Sequence, residues 1–166
     1  MDPGGGIAMI NQDSDLQPAN VRAEQFFIAA APGECVHCAR LIPLIALGVP
    51  AGHERRDEEG WAITAQASLL FEVAWLAPEV RALLRDMFPH FRPGAAPDSP
   101  WLNHCDHCGH GQDDYWLQGE PGALFLPLMP EAAERIDLIR LYAPLAAAVR
   151  GFAEGVPHLD AMRHIG

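Results

Sequence analysis

The four cysteines of the chain fall in two C-x-x-C pairs, Cys35-Val36-His37-Cys38 and Cys105-Asp106-His107-Cys108, and none is left over. A C-x-x-C at the tip of a hairpin aims two thiolates at one ion, and two such tips complete the tetrahedral four-sulfur shell that zinc favours. Cys35, Cys38, Cys105 and Cys108 are therefore expected to hold one structural Zn2+ ion. Whatever else the chain does, its fold must bring these two distant points together. Gly109, directly after the second pair, permits the positive φ that turns backbone N–H groups toward the sulfurs. A closed four-cysteine shell leaves no coordination position for water or substrate, which argues against zinc catalysis.

The pairs are separated by residues 39–104, 66 positions, whereas compact sites of this kind use about 15–20. Loop closure costs only about 0.6 kcal/mol per doubling of length, so two doublings add about 1.2 kcal/mol. A structural zinc site supplies on the order of 10–16 kcal/mol. The long interval is therefore compatible with a shared ion, provided that the insert builds structure of its own.

Residues 1–20 carry Gly4-Gly5-Gly6 and no apolar period, and are expected to form a flexible lead into a single domain over residues 21–166. "EQFFIAAAPGECVHC" reads as a strand that presents Cys35 and Cys38. "RLIPLIALGV" follows as a second strand, which Pro43 would place on an edge. "GHERRDEEG" is a charged turn, and Phe71, Val73 and Trp75 then alternate with Glu72 and Ala74 as in a half-buried strand. Over "APEVRALLRDMFPHF", Val80, Leu83, Leu84, Met87 and Phe88 recur at helical spacing, with Pro78 in the first turn and Pro89 as a stop. "EPGALFLPLM" suggests a turn feeding a short strand. In the tail, the 131–153 segment fits strand or helix; a strand over "RIDLIRLY" followed by a short helix over residues 145–153 is the favoured reading. The expected class is α+β: a zinc-ribbon-like β core with a long inserted strand and helix segment between the two knuckles.

The pattern W-x-N-H-C-x-x-C-G-x-x-Q-x-D, present as "WLNHCDHCGHGQDD" and followed by "GEPGALF", resembles the second knuckle of zinc-ribbon-type bacterial proteins of largely uncharacterised function. In those proteins an earlier C-x-x-C and a short apolar strand supply the other two ligands, as "CVHCARLIPLIAL" would here. The resemblance spans residues 33–48 and 99–128. It implies metal binding and names no activity. One departure is Ala39, which stands after Cys38 where a knuckle favours glycine.

Rival chemistries are weighed against this reading. C-V-H-C resembles the centre of thiol-disulfide oxidoreductases, in which a histidine lowers the pKa of the nucleophilic thiol. Such a centre opens a long helix, which Pro43, Gly48 and Pro50 oppose, and the second C-x-x-C would have no task. His37, His104, His107 and His110 are expected to rim the zinc site and not to bind a second metal. "HERRD" at His53 lacks the second histidine of a zinc hydrolase, and the deaminase pattern is missing. For an HNH-type nuclease His90 is a poor candidate base. Asp113 with Asp114, Asp57 with Glu58 and Glu59, and Glu131 with Glu134 are expected to be solvated charges. Trp101 and Trp116 are expected to buttress the knuckle.

Charge narrows the partner class. Twenty-two acidic residues against 11 basic ones, all arginine, give a formal net charge of −11. Direct nucleic-acid binding draws on clustered cations that this chain lacks. "MDPGGGIAMINQDSD" has no basic residue of a secretory leader and no apolar run reaches a membrane span, so a cytoplasmic location is expected. The sequence thus suggests a non-enzymatic interaction or regulatory protein with a structural zinc. Its acidic surface would bind a protein partner, a nucleic-acid-mimicking inhibitor being a special case. A thiol-disulfide oxidoreductase using Cys35 and Cys38 is the alternative.

Overall fold

Proline at positions 32 and 43 decides how the central hairpin is built. In the computed structural model, which describes residues 18–165, the hairpin comprises strands β2 (Phe26–Glu34) and β3 (Leu41–Val49), paired so that Pro32 lies directly opposite Pro43. A hydrogen-bonded antiparallel pair exchanges two N–H donors, and proline has none, so this can only be a non-hydrogen-bonded position. The missing N–H of Pro43 therefore points away from β2. β3 has neighbours on both sides, which corrects the edge-strand expectation; but it pairs with β6 (Ser68–Leu76) only at Gly48 and Val49. Residues 41–47 part from β6 and leave a gap, and the proline faces that gap.

The remaining strands are β1 (Val21–Ala23), β4 (Glu54–Asp57), β5 (Gly60–Ile63), β7 (Phe91–Pro93), β8 (Trp101–His104), β9 (Gly111–Gln112), β10 (Asp137–Leu141), β11 (Leu145–Glu154) and β12 (Arg163–Ile165). Among the described residues three α-helices accompany them: α1 (Pro78–Met87), α2 (Asp114–Gln118) and α3 (Pro130–Ala133). Nine strands form one sheet in the order β12-β10-β2-β3-β6-β11-β1-β4-β5, and β7-β8-β9 form a second. The described residues are thus mostly β. The insert between the cysteine pairs is no separate unit, because its strands β3 and β6 pair with β2 and β11, outside it, in the middle of the large sheet.

Both faces of its central strands β2 and β3 are buried, which explains the apolar run "LIPLIALGV". On one face Phe27, Ala29, Ile42, Leu44 and Ala46 pack with Leu117, Phe125 and Ile136. On the other, Phe26, Ile28, Ile45, Leu47 and Val49 pack with Val80 and Leu84 of α1 and with Phe91 of β7. Gly48 is required where it stands: a Cβ there would lie 2.2 Å from the Phe27 ring on the paired strand. Helix α1 matches the periodicity, with Pro78 in its first turn and Val80 and Leu84 buried. Met87, expected in the same stripe, is partly exposed at the helix end.

Three expectations fail elsewhere. Residues 145–153 form strand β11 and not a helix, because they lie between β6 and β1 and complete the ladder of both. "EPGALFLPLM" makes turns and bends and no strand; its backbone is tied locally, with Gly122 N–H donating to Leu126 O and Phe125 N–H to Leu117 O. Trp116 is 64% exposed, its ring edge-on to Tyr115, whereas Trp101 packs against the Phe91 ring at 5.8 Å between centroids. The flexible lead expected over residues 1–20 lies almost entirely outside the described residues.

Candidate metal centre

The β2–β3 hairpin runs past the end of β10 pairing and carries Cys35 and Cys38 on its tip; Cys105 and Cys108 sit on the turn between β8 and β9. The two turns are built alike. Cys35 N–H donates to Arg40 O and Ala39 N–H to Cys35 O, and in the second turn Cys105 N–H donates to His110 O and Gly109 N–H to Cys105 O. Ala39 and Gly109 occupy equivalent positions, with φ of 63° and 78°. The alanine adopts the left-handed conformation that glycine takes without strain, so the departure at residue 39 leaves the knuckle geometry intact.

The curl turns backbone donors onto sulfur. His37 and Cys38 N–H lie 3.4 and 3.5 Å from Cys35 Sγ, and His107 and Cys108 N–H lie 3.3 and 3.4 Å from Cys105 Sγ. All four Sγ atoms lie within 4.8 Å of one another, and Cys35 with Cys108 and Cys38 with Cys105 approach to 3.6 and 3.7 Å. A tetrahedral shell with Zn–S bonds of about 2.3 Å would space its sulfurs about 3.8 Å apart. The donor set fits a zinc-sized soft ion. Among the described residues no other group of histidine, cysteine or carboxylate side chains gathers in this way.

The thiols differ in environment. Burial raises Cys35, but the N–H groups of Cys38 and His37, the Gln112 amide and Cys108 together outweigh it and bring the thiol down to about 6. For Cys108 the His110 backbone pulls downward, yet burial and the three neighbouring sulfurs prevail and push it up to about 12. A lowered Cys35 beside a raised Cys38 and a raised Cys108 describes thiols sharing a space suited to a cation. A bound divalent ion would hold all four as thiolates.

Gln112, Asn103 and Asp114, to which the sequence assigned no part in the site, tie it to the fold. Gln112 Nε2 donates to Cys35 Sγ at 3.3 Å and to His110 O at 2.8 Å, while its Oε1 accepts from Val36 N–H at 2.9 Å, so one buried amide clasps both knuckles. Asn103 fills the gap beside β3. Its amide accepts from Ile45 N–H and donates to Ile45 O, both at 2.9 Å. Asp114, expected to be solvated, is buried, and its Oδ2 accepts from Glu72 N–H at 2.8 Å where Glu72 takes a φ of 52° in β6. These are the lettered N, Q and D of W-x-N-H-C-x-x-C-G-x-x-Q-x-D. The pattern therefore contains these side chains, but spacing alone does not show what each one bonds to.

The histidines stand as rim groups. The His37 and His110 rings stack at 4.8 Å, and Arg40 Nη1 lies 3.2 Å from His107 Nδ1. His104 and His90 are lowered by burial, and His104 Nδ1 lies 3.4 Å from His90 O. A separate cleft lined by Arg22, Glu24, Glu54 and Leu145 contains His53, but both ring nitrogens are engaged, Nδ1 with Pro50 O at 2.8 Å and Nε2 with Arg55 Nε at 3.1 Å. His53 is therefore held as part of the fold and has no ring nitrogen left to act as a base there. No helix among the described residues is long and apolar enough to cross a membrane. No family model, curated protein or solved structure matches the chain.

Proposed function

We propose that the chain is a zinc-stapled, non-enzymatic interaction or regulatory protein of the cytoplasm, with one structural Zn2+ on Cys35, Cys38, Cys105 and Cys108. The observation that carries the metal is the convergence of four sulfurs from two matching turns. The ion would join the hairpin of the large sheet to the small sheet and fix the surface between them, in the manner of the zinc-ribbon-type proteins that the second knuckle resembles. A closed sulfur shell supplies no site for substrate.

Two features support a protein partner. β5 ends the large sheet and has one strand neighbour among the described residues, β4; its Ile63 is 75% exposed. Asp57, Glu58 and Glu59 lie on the same hairpin. An open edge beside an acidic turn suits a partner that adds a strand and carries basic side chains. A nucleic-acid-handling protein is the special case that the net charge of −11 favours. The thiol-disulfide alternative is opposed by geometry, since Cys35 and Cys38 lie on a hairpin turn and not at the start of a helix.

Capture experiments test the reading. The full chain should retain the same partner from a lysate when Arg140, away from the edge, is replaced by Ala. It should lose that partner when Ile63→Arg and Glu58→Arg are introduced together. Retention by the double variant would remove the edge from the account. Thiol-disulfide exchange activity that disappears in Cys35→Ser would replace it with the redox reading.

A further inference from the structure

The four sulfurs differ in access, and their short contacts run between the knuckles. Cys35 and Cys105 are buried, Cys38 is half-buried, and Cys108 is exposed. The 3.6 Å contact joins exposed Cys108 to buried Cys35, and the 3.7 Å contact joins Cys38 to Cys105. Within each knuckle, the first cysteine's sulfur is held by N–H donors of its own turn, which aim it inward at the shared centre.

We infer that the centre is a convertible clamp: hydrogen peroxide converts it from a metal staple into two disulfides, Cys35–Cys108 and Cys38–Cys105, that cross between the knuckles. The inference rests on the metal reading above. Metal-held cysteines are already thiolates, so the exposed member, Cys108, is the one a small oxidant meets first. Its sulfur attacks one peroxide oxygen, the O–O bond breaks, and a sulfenic acid forms as hydroxide leaves. Cys35 Sγ then attacks the Cys108 sulfur, the S–S bond forms and the S–O bond breaks, releasing a second hydroxide. Two protons from solvent turn both hydroxides into water. The peroxide is reduced by two electrons and the two thiolates are oxidised by two. With two ligands gone, the metal is released, and a second peroxide oxidises Cys38 and Cys105 in the same way.

The geometry gives this route a consequence that disulfides inside each C-x-x-C would not have. Bonds within a knuckle leave the two sheets unlinked once the metal departs. Bonds across the knuckles keep residues 35 and 108 joined, so the fold survives metal loss. The clamp is then a device that signals or withstands oxidation without unfolding.

The chain's own cleavage sites make the test direct. Cleavage after arginine places Cys35 and Cys38 together in the peptide 23–40, and Cys105 and Cys108 together in one ending at Arg135. The full-length purified protein is first assayed for zinc, then treated with hydrogen peroxide, blocked with an alkylating agent, digested and weighed. The expected result is zinc release in step with the appearance of one joined species containing both peptides, four hydrogens lighter than their thiol forms. Two separate peptides, each two hydrogens lighter, overturn the inference, as do sulfonic acids without any disulfide. At limiting peroxide the joined species should be only two hydrogens lighter, with Cys38 and Cys105 still alkylated; alkylated Cys35 and Cys108 in its place also overturn the inference. A protein with no zinc before treatment refutes the metal reading itself, which the first assay distinguishes from a wrong disulfide map.

Discussion

Asn103 and Ile45 form a two-bond ladder rung in which one partner is a side chain: Ile45 N–H donates to Asn103 Oδ1 and Asn103 Nδ2 donates to Ile45 O, each at 2.9 Å. β3 turns this N–H and C=O toward the gap left by β6, on the side to which Pro43 turns its missing donor. At the same point β8 passes from the face shared with Phe91 and Trp101 to the face that holds Cys105. One amide thereby satisfies a buried backbone break and fixes the second knuckle against the first.

Asn103→Ala should leave both Ile45 groups buried and unpaired. Stability should fall by about 2–6 kcal/mol, at about 1–3 kcal/mol for each of the two stranded groups. Urea unfolding of the metal-loaded protein checks this; a loss below 1 kcal/mol would show that water replaces the amide.

Ala39→Gly should stabilise the protein and Gly109→Ala should destabilise it. Both positions sit at positive φ, 63° and 78°, and a side chain there costs about 1–2 kcal/mol. Thermal unfolding of the two single variants should shift in opposite directions. A destabilised Ala39→Gly would mean that the Ala39 methyl contributes packing that outweighs its strain.

Gln112→Ala removes a donor to Cys35 Sγ and an acceptor for Val36 N–H. Metal affinity should drop by about 10–100-fold, as expected when a partner of a ligand is lost. Competition with a chromogenic zinc chelator measures it. Leu102→Ala, on the same β8–β9 unit and remote from the sulfurs by role, should leave affinity within about twofold of the parent.

Asp114 has its pKa pushed up to about 7, chiefly by burial, with the Asp113 and Glu72 carboxylates adding to it against the Glu72 N–H that favours the charge. A carboxyl raised in the folded state binds more protons folded than unfolded between its ordinary value near 4 and about 7. Its contribution is most favourable below pH 4, declines as pH rises through that window and is fully lost above about 7. Asp114→Asn should flatten the stability profile between pH 5 and 7 relative to the parent, measured as the difference between the two proteins at each pH so that the metal's own pH dependence cancels. Parallel profiles would place the titration elsewhere.

The meeting of Cys35, Cys38, Cys105 and Cys108 at one point was legible because four cysteines in two matched pairs leave few ways to be used. Helix α1 was legible because its apolar spacing and its flanking prolines agree. Local pattern could not show that β6 would lie between β3 and β11, since its pairing with β11 joins segments far apart in the chain. Residues 145–153 illustrate the same limit. "LAAAVRGFA" has strong helix formers, and the ladders of β6 and β1 on either side override them. Asp114 read as a solvated charge because its burial comes from β6, a strand 42 positions earlier. Pro43 misled in an informative way: it does mark an unpaired strand side, but an internal one that Asn103 then closes.

The central claim is that Cys35, Cys38, Cys105 and Cys108 jointly hold a structural ion, and elemental analysis combined with thiol titration tests it most directly. Purified under reducing conditions without added metal, the protein should contain about one zinc per chain, with its thiols protected until denaturant or a strong chelator is added. Metal-free protein with a readily reduced Cys35–Cys38 disulfide and freely reactive Cys105 and Cys108 would contradict it.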